Sequence, residues 1–456
     1  MYKTVTRTIK NIPYFYRATI SWSKVSTGNI AFRYYPNGFI FDVAGCCIYS
    51  EKIDLLSLLS LVNSKVAKYY LQVLSPTINY EAGHVNCIPI RKEYLDDQIA
   101  KIGRNNVDYS KQDWDSYETS WDFKCHPLIQ IGLKHRRHND GGMTIEDCFY
   151  TWTEECDNRF NQLKKNEEKL NRIFIKIYRL QDDLTPDVDD KEVTVRRADL
   201  LRDIKSLLSY AVGCMFGRYS LDSTGLAFGG GVWDDRKYSQ FKPDVDNIIP
   251  ISDEEYLEDD IISRLCKFLK VALGEDTLEE NLDYIAKALS NKGNSSREVI
   301  RNYFLYDFFK DHCQTYSVSG SGKRPIYWLF DSGKQNGFKA LIYLHRYNAD
   351  TIGNLRIDYL HRMQRIYESE IIRMQDMIEH NTNVREIAQA TKRREKLAKQ
   401  LKECREYDEK LAHLALSRIE LDLDDGVKTN YRKLQTASDG KYYEVLADSK
   451  NIMAKV

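Results

Sequence analysis

TISWSKVSTGNIAFRYYPNGFIFDVAGCCIYS, residues 19–50, is the stretch from which the rest of the chain is read. Apolar and polar residues alternate in it at period two, through Ile20 and Trp22 and again through Phe39, Phe41 and Val43, which predicts strands. Asn37-Gly38 between the two runs is a hairpin signal, because both residues tolerate positive φ. Leu56, Leu59, Val62, Val66, Tyr69 and Leu74 then recur at helical spacing, and Ser75-Pro76 ends that helix because proline cannot continue it. SPTINYEAGHVNCIPI, residues 75–90, follows, and its last six residues predict a third extended piece. Strands, one helix and a returning strand make a scaffold that presents loops rather than a catalytic cavity.

Outward from this stretch, composition sets the class. A chain of 456 residues holds about three domains with sizeable cores. Hydrophobic residues at 42% and charged residues at 29% are those of a soluble globular protein. The 31 tyrosines suit half-wet surfaces and contacts to bases or sugars, although tyrosine is also an ordinary strand residue. Lys plus Arg equals Asp plus Glu at 67 each, so no global basic field announces nucleic acid. The charges are segregated all the same. Lys134-His135-Arg136-Arg137-His138 and Lys392-Arg393-Arg394 are basic runs; Asp253-Glu254-Glu255 and Glu258-Asp259-Asp260 are acidic, and such runs are mostly solvated faces. Ten cysteines show no zinc-binding spacing, and Cys46-Cys47 on a strand point to opposite faces. With no leader-like start and no apolar run of about 18 residues, the expectation is a cytoplasmic protein with free thiols and no membrane contact.

Residues 91–115 lose periodicity and predict a loop. From Cys148 the pattern is helical through Phe160, Leu163, Leu170, Phe174 and Ile177, and further helices are predicted over 197–215, 260–273, 278–289 and 299–313. Residues 320–348 alternate like strands around a Gly-rich turn. Two apolar seams follow, Leu360 to Ile378 and Leu397 to Leu414, separated by His380-Asn381-Thr382-Asn383; they predict an antiparallel coiled-coil hairpin. A polar extended tail is predicted from Asp422. The fold class is α+β: a β-rich unit over 1–150, a helical spacer over 151–235, an α+β domain over 236–350, and a helical hairpin with tail over 351–456.

Motifs for chemistry fall short. Gly320-Ser321-Gly322-Lys323-Arg324 lacks the leading glycine of a phosphate-binding loop and the hydroxyl after lysine, and Pro325 opens a strand-like run instead of a helix. Phe228-Gly229-Gly230-Gly231 lacks the buried strand that precedes a cofactor-binding glycine turn. Asn11-Ile12-Pro13-Tyr14 approaches the Asn-Pro-Pro-aromatic motif that holds a flipped adenine, but Ile12 replaces the first proline, and none of the nine prolines are adjacent.

Several strings closely resemble the C-terminal part of the PglX family, the adenine-specific DNA methyltransferases of BREX phage-exclusion systems. They are SWSKVSTGNIAFRYYPNGFIFDVAG (21–45), LVNSKVAKYYLQVLSPTINYEAGHVNCIPI (61–90), DWDSYETSWDFKCHPL (113–128) and KRPIYWLFDSGKQNGFKALIYLHRY (323–347). NEEKLNRIFIKIYRLQDDLTPDV (166–188), GCMFGRYSLDSTGLAFGGGVWD (213–234) and DLDDGVKTNYRKLQ (422–435) are similar to it too. In that family a Rossmann-like domain with the S-adenosylmethionine glycines and the Asn-Pro-Pro-Tyr motif stands upstream, so the resemblance implies a chain that begins after it. It implies no catalytic residue, cofactor or metal site here, and a target-recognition region acting on double-stranded DNA. The methyltransferase domain would then be encoded separately, or the chain would be a fragment. Candidate base readers are Lys24, Ser26, Asn29, Arg33 and Tyr34, with Asn79, Tyr80 and His84 after the helix; Lys134, Arg136 and Arg137 are candidates for phosphate contact. The alternative is a protein-interaction scaffold among defence-system proteins, docking through its coiled-coil hairpin.

Overall fold

A computed structural model describes residues 11–28, 30–92, 95–138, 141–290, 292–318 and 322–454. Asn29 lies outside the described residues, as do Gly320 and Ser321. The class is α+β, helices with small antiparallel sheets. The chain divides into two compact units, Met1–Trp114 with Thr153–Ala198, and Asp115–Trp152 with Asp199–Val456.

The first unit is built on β1 (Thr19–Ser23), the central strand of a sheet in which β2 (Arg33–Tyr35) and β3 (Gly45–Ile48) pair antiparallel on either side of it. The Asn37-Gly38 turn forms, with Gly38 at φ +113°. The run after it is not the predicted strand. Tyr16 N and Gly38 N bond across to Phe39 and Tyr16 carbonyls, and Asp42 Oδ1 then accepts from Ala44 N and Gly45 N, turning the chain before β3 can start. Val43 is left 85% exposed.

The predicted single helix is two, α1 (Leu55–Val62) and α2 (Lys65–Leu74). Asp54 caps α1 by accepting from Leu56 N and Ser57 N. The break between them is made by side chains. Asn63 Oδ1 accepts from Phe32 N at 3.0 Å while its Nδ2 donates to Phe32 O at 2.9 Å, and Ser64 Oγ donates to Leu61 O and caps Ala67 N. The last segment is also corrected: Ala82–Asn86 is a short helix, α3, because Glu81 and His84 close a reciprocal capping box that draws Val85 out of an extended path. The loop expected over 91–115 holds α4 (Asp97–Trp114). Ile99 and Ile102 are its fully buried apolar residues, with Ala100 and Val107 partly packed on the core, and Gly103 lets it cross α1 closely; a Cβ there would stand 2.7 Å from Leu56 O.

Helix α5 (Pro127–Arg136) belongs to the second unit, and within α6 (Ile145–Tyr178) the chain passes from the second unit to the first between Trp152 and Thr153. In the first unit α6 packs Leu170, Phe174 and Ile175 on Leu61, Val66, Ile99 and Ile102. Burial raises the Glu167 carboxyl on this helix to about 7, aided by Glu192 and opposed by Lys68.

The second unit continues with α7 (Leu200–Met215), β4 (Ile249–Pro250), α8 (Ile261–Leu273), α9 (Leu278–Leu289), α10 (Ser296–Tyr306), α11 (Phe308–Thr315) and the strand pair β5 (Ser317–Val318) and β6 (Gly322–Lys323). A sheet of order β4-β8-β7 is completed by β7 (Tyr327–Asp331) and β8 (Lys339–Tyr343). After α12 (Thr351–Asn354) and a π-helical turn, α13 (His361–His380) and α14 (Val384–Ser417) are linked by Arg405 to Glu368 at 2.7 Å and by Gln364 Nε2 to Cys404 O at 3.3 Å. The predicted extended tail is folded instead, with α15 (Gly426–Leu434) and α16 (Ser449–Met453). Its backbone pairs with β7 through Asp331 N to Val445 O and Ala447 N to Leu329 O, and Tyr431 is fully buried against Trp328.

The β7–β8 turn wraps a carboxylate from α14. Glu403 accepts from Ser332 Oγ at 2.7 Å, Gln335 N at 2.8 Å and Gly337 N at 3.0 Å. Glu403→Ala is expected to destabilise the protein by about 2 kcal/mol in denaturant unfolding, because three donors to an ionised group lose their acceptor together. At Glu167 the raised folded-state value means that the folded chain binds the proton more tightly than the unfolded one. The associated stability is complete below about pH 4.5 and declines as pH rises toward 7. Glu167→Gln is expected to flatten that decline in melts across this range.

Candidate nucleic-acid interface

Of the predicted readers, Lys24, Ser26, Asn79, Tyr80 and His84 come together where β1 ends, whereas Arg33 and Tyr34 lie on β2. Lys24 N still donates to Ala44 O on the β3 side, at 3.0 Å, but from Lys24 O onward the chain changes partner. Tyr80 N donates to Lys24 O at 2.7 Å and Ser26 N to Ile78 O at 3.0 Å, with Val25 and Asn79 directly opposed. Trp22, buried in the core, donates Nε1 to Tyr80 O at 2.8 Å. The 75–80 turn is closed from within by Ser75 Oγ to Asn79 O and by Asn79 N to Thr77 Oγ1. These backbone groups are satisfied inside the protein, so the loop pair is braced from within.

The side chains divide by use. Lys24 Nζ is 3.0 Å from Glu81 Oε1, and this hydrogen-bonded ammonium holds the Glu81 carboxyl below its usual value. His84 Nδ1 accepts from Glu81 N in the α3 cap. Tyr34 and Tyr80 lay their rings partly on the sheet–helix core. Ser26 Oγ donates to Gly28 O, whereas Arg33 on β2 and Asn79 in the loop are exposed. Lys134, Arg136 and Arg137 lie at the C-terminal end of α5, in the second unit, where positive charge complements the carbonyl end of a helix. Arg136 donates to Val271 O; Lys134 and Arg137 are exposed.

Three contributors escaped the sequence reading. Trp22 was read only as a strand residue, and nothing in its pattern tells that its indole holds a loop 58 residues away. Asn63 was placed on a helix. Glu81 escaped because the usual capping-box pattern is Ser or Thr followed three residues later by Glu or Gln, and here Glu81 precedes His84.

Neither near-motif fits a methyl donor or a flipped base. Ile12–Tyr14 is a single exposed helical turn, with the Tyr14 ring against Tyr49 and Arg17. The glycines at 229–231 follow no strand; Phe228 is instead held by its carbonyl accepting from Tyr343 Oη. A polar interior around Glu118 and Arg218 is close-packed. Arg218 donates to the Tyr219 and Tyr343 hydroxyls, burial raises the Glu118 carboxyl, and a Cβ on Gly213 would stand 2.5 Å from the Tyr219 ring. Among the described residues no group of three or more His, Cys, Asp or Glu could hold a metal ion, and no helix is long and apolar enough to cross a membrane.

No family model matches the chain. The adenine-specific methyltransferase PglX of Lacticaseibacillus casei (strain Zhang) is 43% identical to it over 424 residues, 92% of this chain and 34% of that protein. The adenine-specific methyltransferase BrxX of Escherichia coli O9:H4 (strain HS) is 34% identical over 472 residues, 97% of this chain and 37% of that protein. The chain spans about a third of the length of the curated relatives it matches.

Trp22→Phe keeps the ring in the core but removes the donor to Tyr80 O. Hydrogen exchange is expected to quicken at the amides of Ser26 and Tyr80, with a stability loss of about 1 kcal/mol. Unchanged exchange there would show that the indole does not brace the loop.

Proposed function

We propose that this chain, a partial homologue of the adenine-specific methyltransferases PglX and BrxX, is the DNA-recognition part of such an enzyme in a BREX-type defence system. Methyl transfer from S-adenosylmethionine is carried out by family segments outside the third that this chain matches. The observation that carries this reading is the braced loop pair 24–26 and 75–81, which offers exposed hydrogen-bonding side chains on an internally satisfied backbone. A methyltransferase acting on adenine must extract that base from the stack, and the bases beside it have to be recognised by a second surface that stays rigid while this happens. The first unit is that target-recognition surface, with Arg33 and Asn79 its most accessible polar readers. Lys134 and Arg137 contact phosphate. The α13–α14 pair is a coiled-coil arm available to other proteins of the system.

Duplex binding by the purified full chain tests this. Log affinity is expected to fall linearly with log salt, by roughly 0.9 for each phosphate contacted. Arg137→Ala is expected to weaken all duplexes alike and to lower that slope by about one. Absence of duplex binding at low salt would refute the reading.

A further inference from the structure

Val25 and Asn79 are opposed in an isolated antiparallel bridge. Residues so opposed carry their side chains on the same face, with Cβ atoms roughly 4.5–5.5 Å apart. Val25 is 54% exposed and Asn79 is exposed as well. The backbone of Asn79 is held on both sides, its N–H by Thr77 Oγ1 at 3.2 Å and its carbonyl by Ser75 Oγ at 2.6 Å. Its side-chain amide makes no hydrogen bond among the described residues. An exposed amide without a partner in the protein, on a backbone held on both sides, therefore stands beside a half-exposed valine.

That pairing of groups has a complement in one base pair. Adenine offers the major groove an acceptor at N7 next to a donor at N6, which a carboxamide meets bidentately, and thymine offers a methyl group. A two-stranded ribbon is also narrow enough for that groove. We propose that the Val25–Asn79 pair reads a single A·T base pair. Asn79 Nδ2 donates to adenine N7, Oδ1 accepts from adenine N6, and the Val25 methyls lie against the thymine methyl. This rests on the DNA-recognition reading and adds to it a residue, Val25, and a base pair.

The test uses the full chain and duplexes it selects from a random pool, resynthesised with deoxyuridine in place of thymidine. Wild type is expected to select a position fixed as A·T and to bind the deoxyuridine duplex several-fold more weakly. Asn79→Ala is expected to lose the A·T preference at that position by about tenfold or more. Val25→Ser is expected to keep the preference for adenine and bind both duplexes equally. Both side chains are exposed, and unchanged melting of the variants checks that the fold is kept. Selection that survives Asn79→Ala, or a thymidine preference that survives Val25→Ser, overturns the proposal while leaving DNA recognition standing. If wild type binds no duplex, both fall together.

Discussion

The first unit depends on burying β1 from both faces. Ile20 and Trp22 are almost wholly enclosed, with sheet partners on either edge and α1 against the face. A buried tryptophan removes about 150–250 Å² from water, worth on the order of 4–6 kcal/mol at the usual coefficient. That burial fixes the position of the indole, and the indole's one donor then reaches Tyr80 O. The same side chain therefore closes the core and holds the loop that carries the candidate readers. The strand supplies the rest, since its backbone passes from pairing with β3 to pairing with residues 78–80 at Lys24.

Composition pointed elsewhere for two groups of residues. The tyrosines suggested wet surfaces, yet in the second unit several act as internal ties. Tyr343, Tyr367 and Tyr407 are buried, and their hydroxyls donate to the carbonyls of Phe228, Gly337 and Val445. Each ring fills core volume while its hydroxyl satisfies a loop carbonyl that water does not reach. The charge runs behave alike. Arg393, from a basic run, pairs with Asp253 and Glu254, from an acidic one, so charges that looked like two solvated faces meet each other.

The legible parts of the fold were those set by long local patterns. Helices over 200–215, 261–273 and 278–289, and the stop at Ser75-Pro76, follow from apolar spacing and proline. The errors fall where a side chain replaces a backbone partner. Asn63 stands in for a neighbouring strand at Phe32, Asp42 turns the chain before Gly45, and the Glu81–His84 box makes a helix of a segment that reads as extended. The tail from Asp422 looked free because its apolar residues are sparse, although Tyr431, Val445 and Leu446 are enough to bury it. The candidate readers were found through resemblance. Their division into braces, such as Lys24 and His84, and exposed groups, such as Arg33 and Asn79, depends on contacts far apart in sequence.

This division has a consequence for specificity. The loop pair is held by main-chain bonds, by two hydroxyls from the turn itself and by Trp22 from beneath, none of which involve the exposed side chains of Val25, Arg33 or Asn79. Substitutions at exposed positions away from caps and cores usually change stability by less than about 0.5 kcal/mol, whereas losing one good base contact changes binding by roughly 1–3 kcal/mol. On the DNA-recognition reading, the recognised sequence can therefore change at these positions almost without cost to the fold. The braces have no such freedom, because Trp22, Glu81 and Ser75 maintain the geometry through which any reader acts.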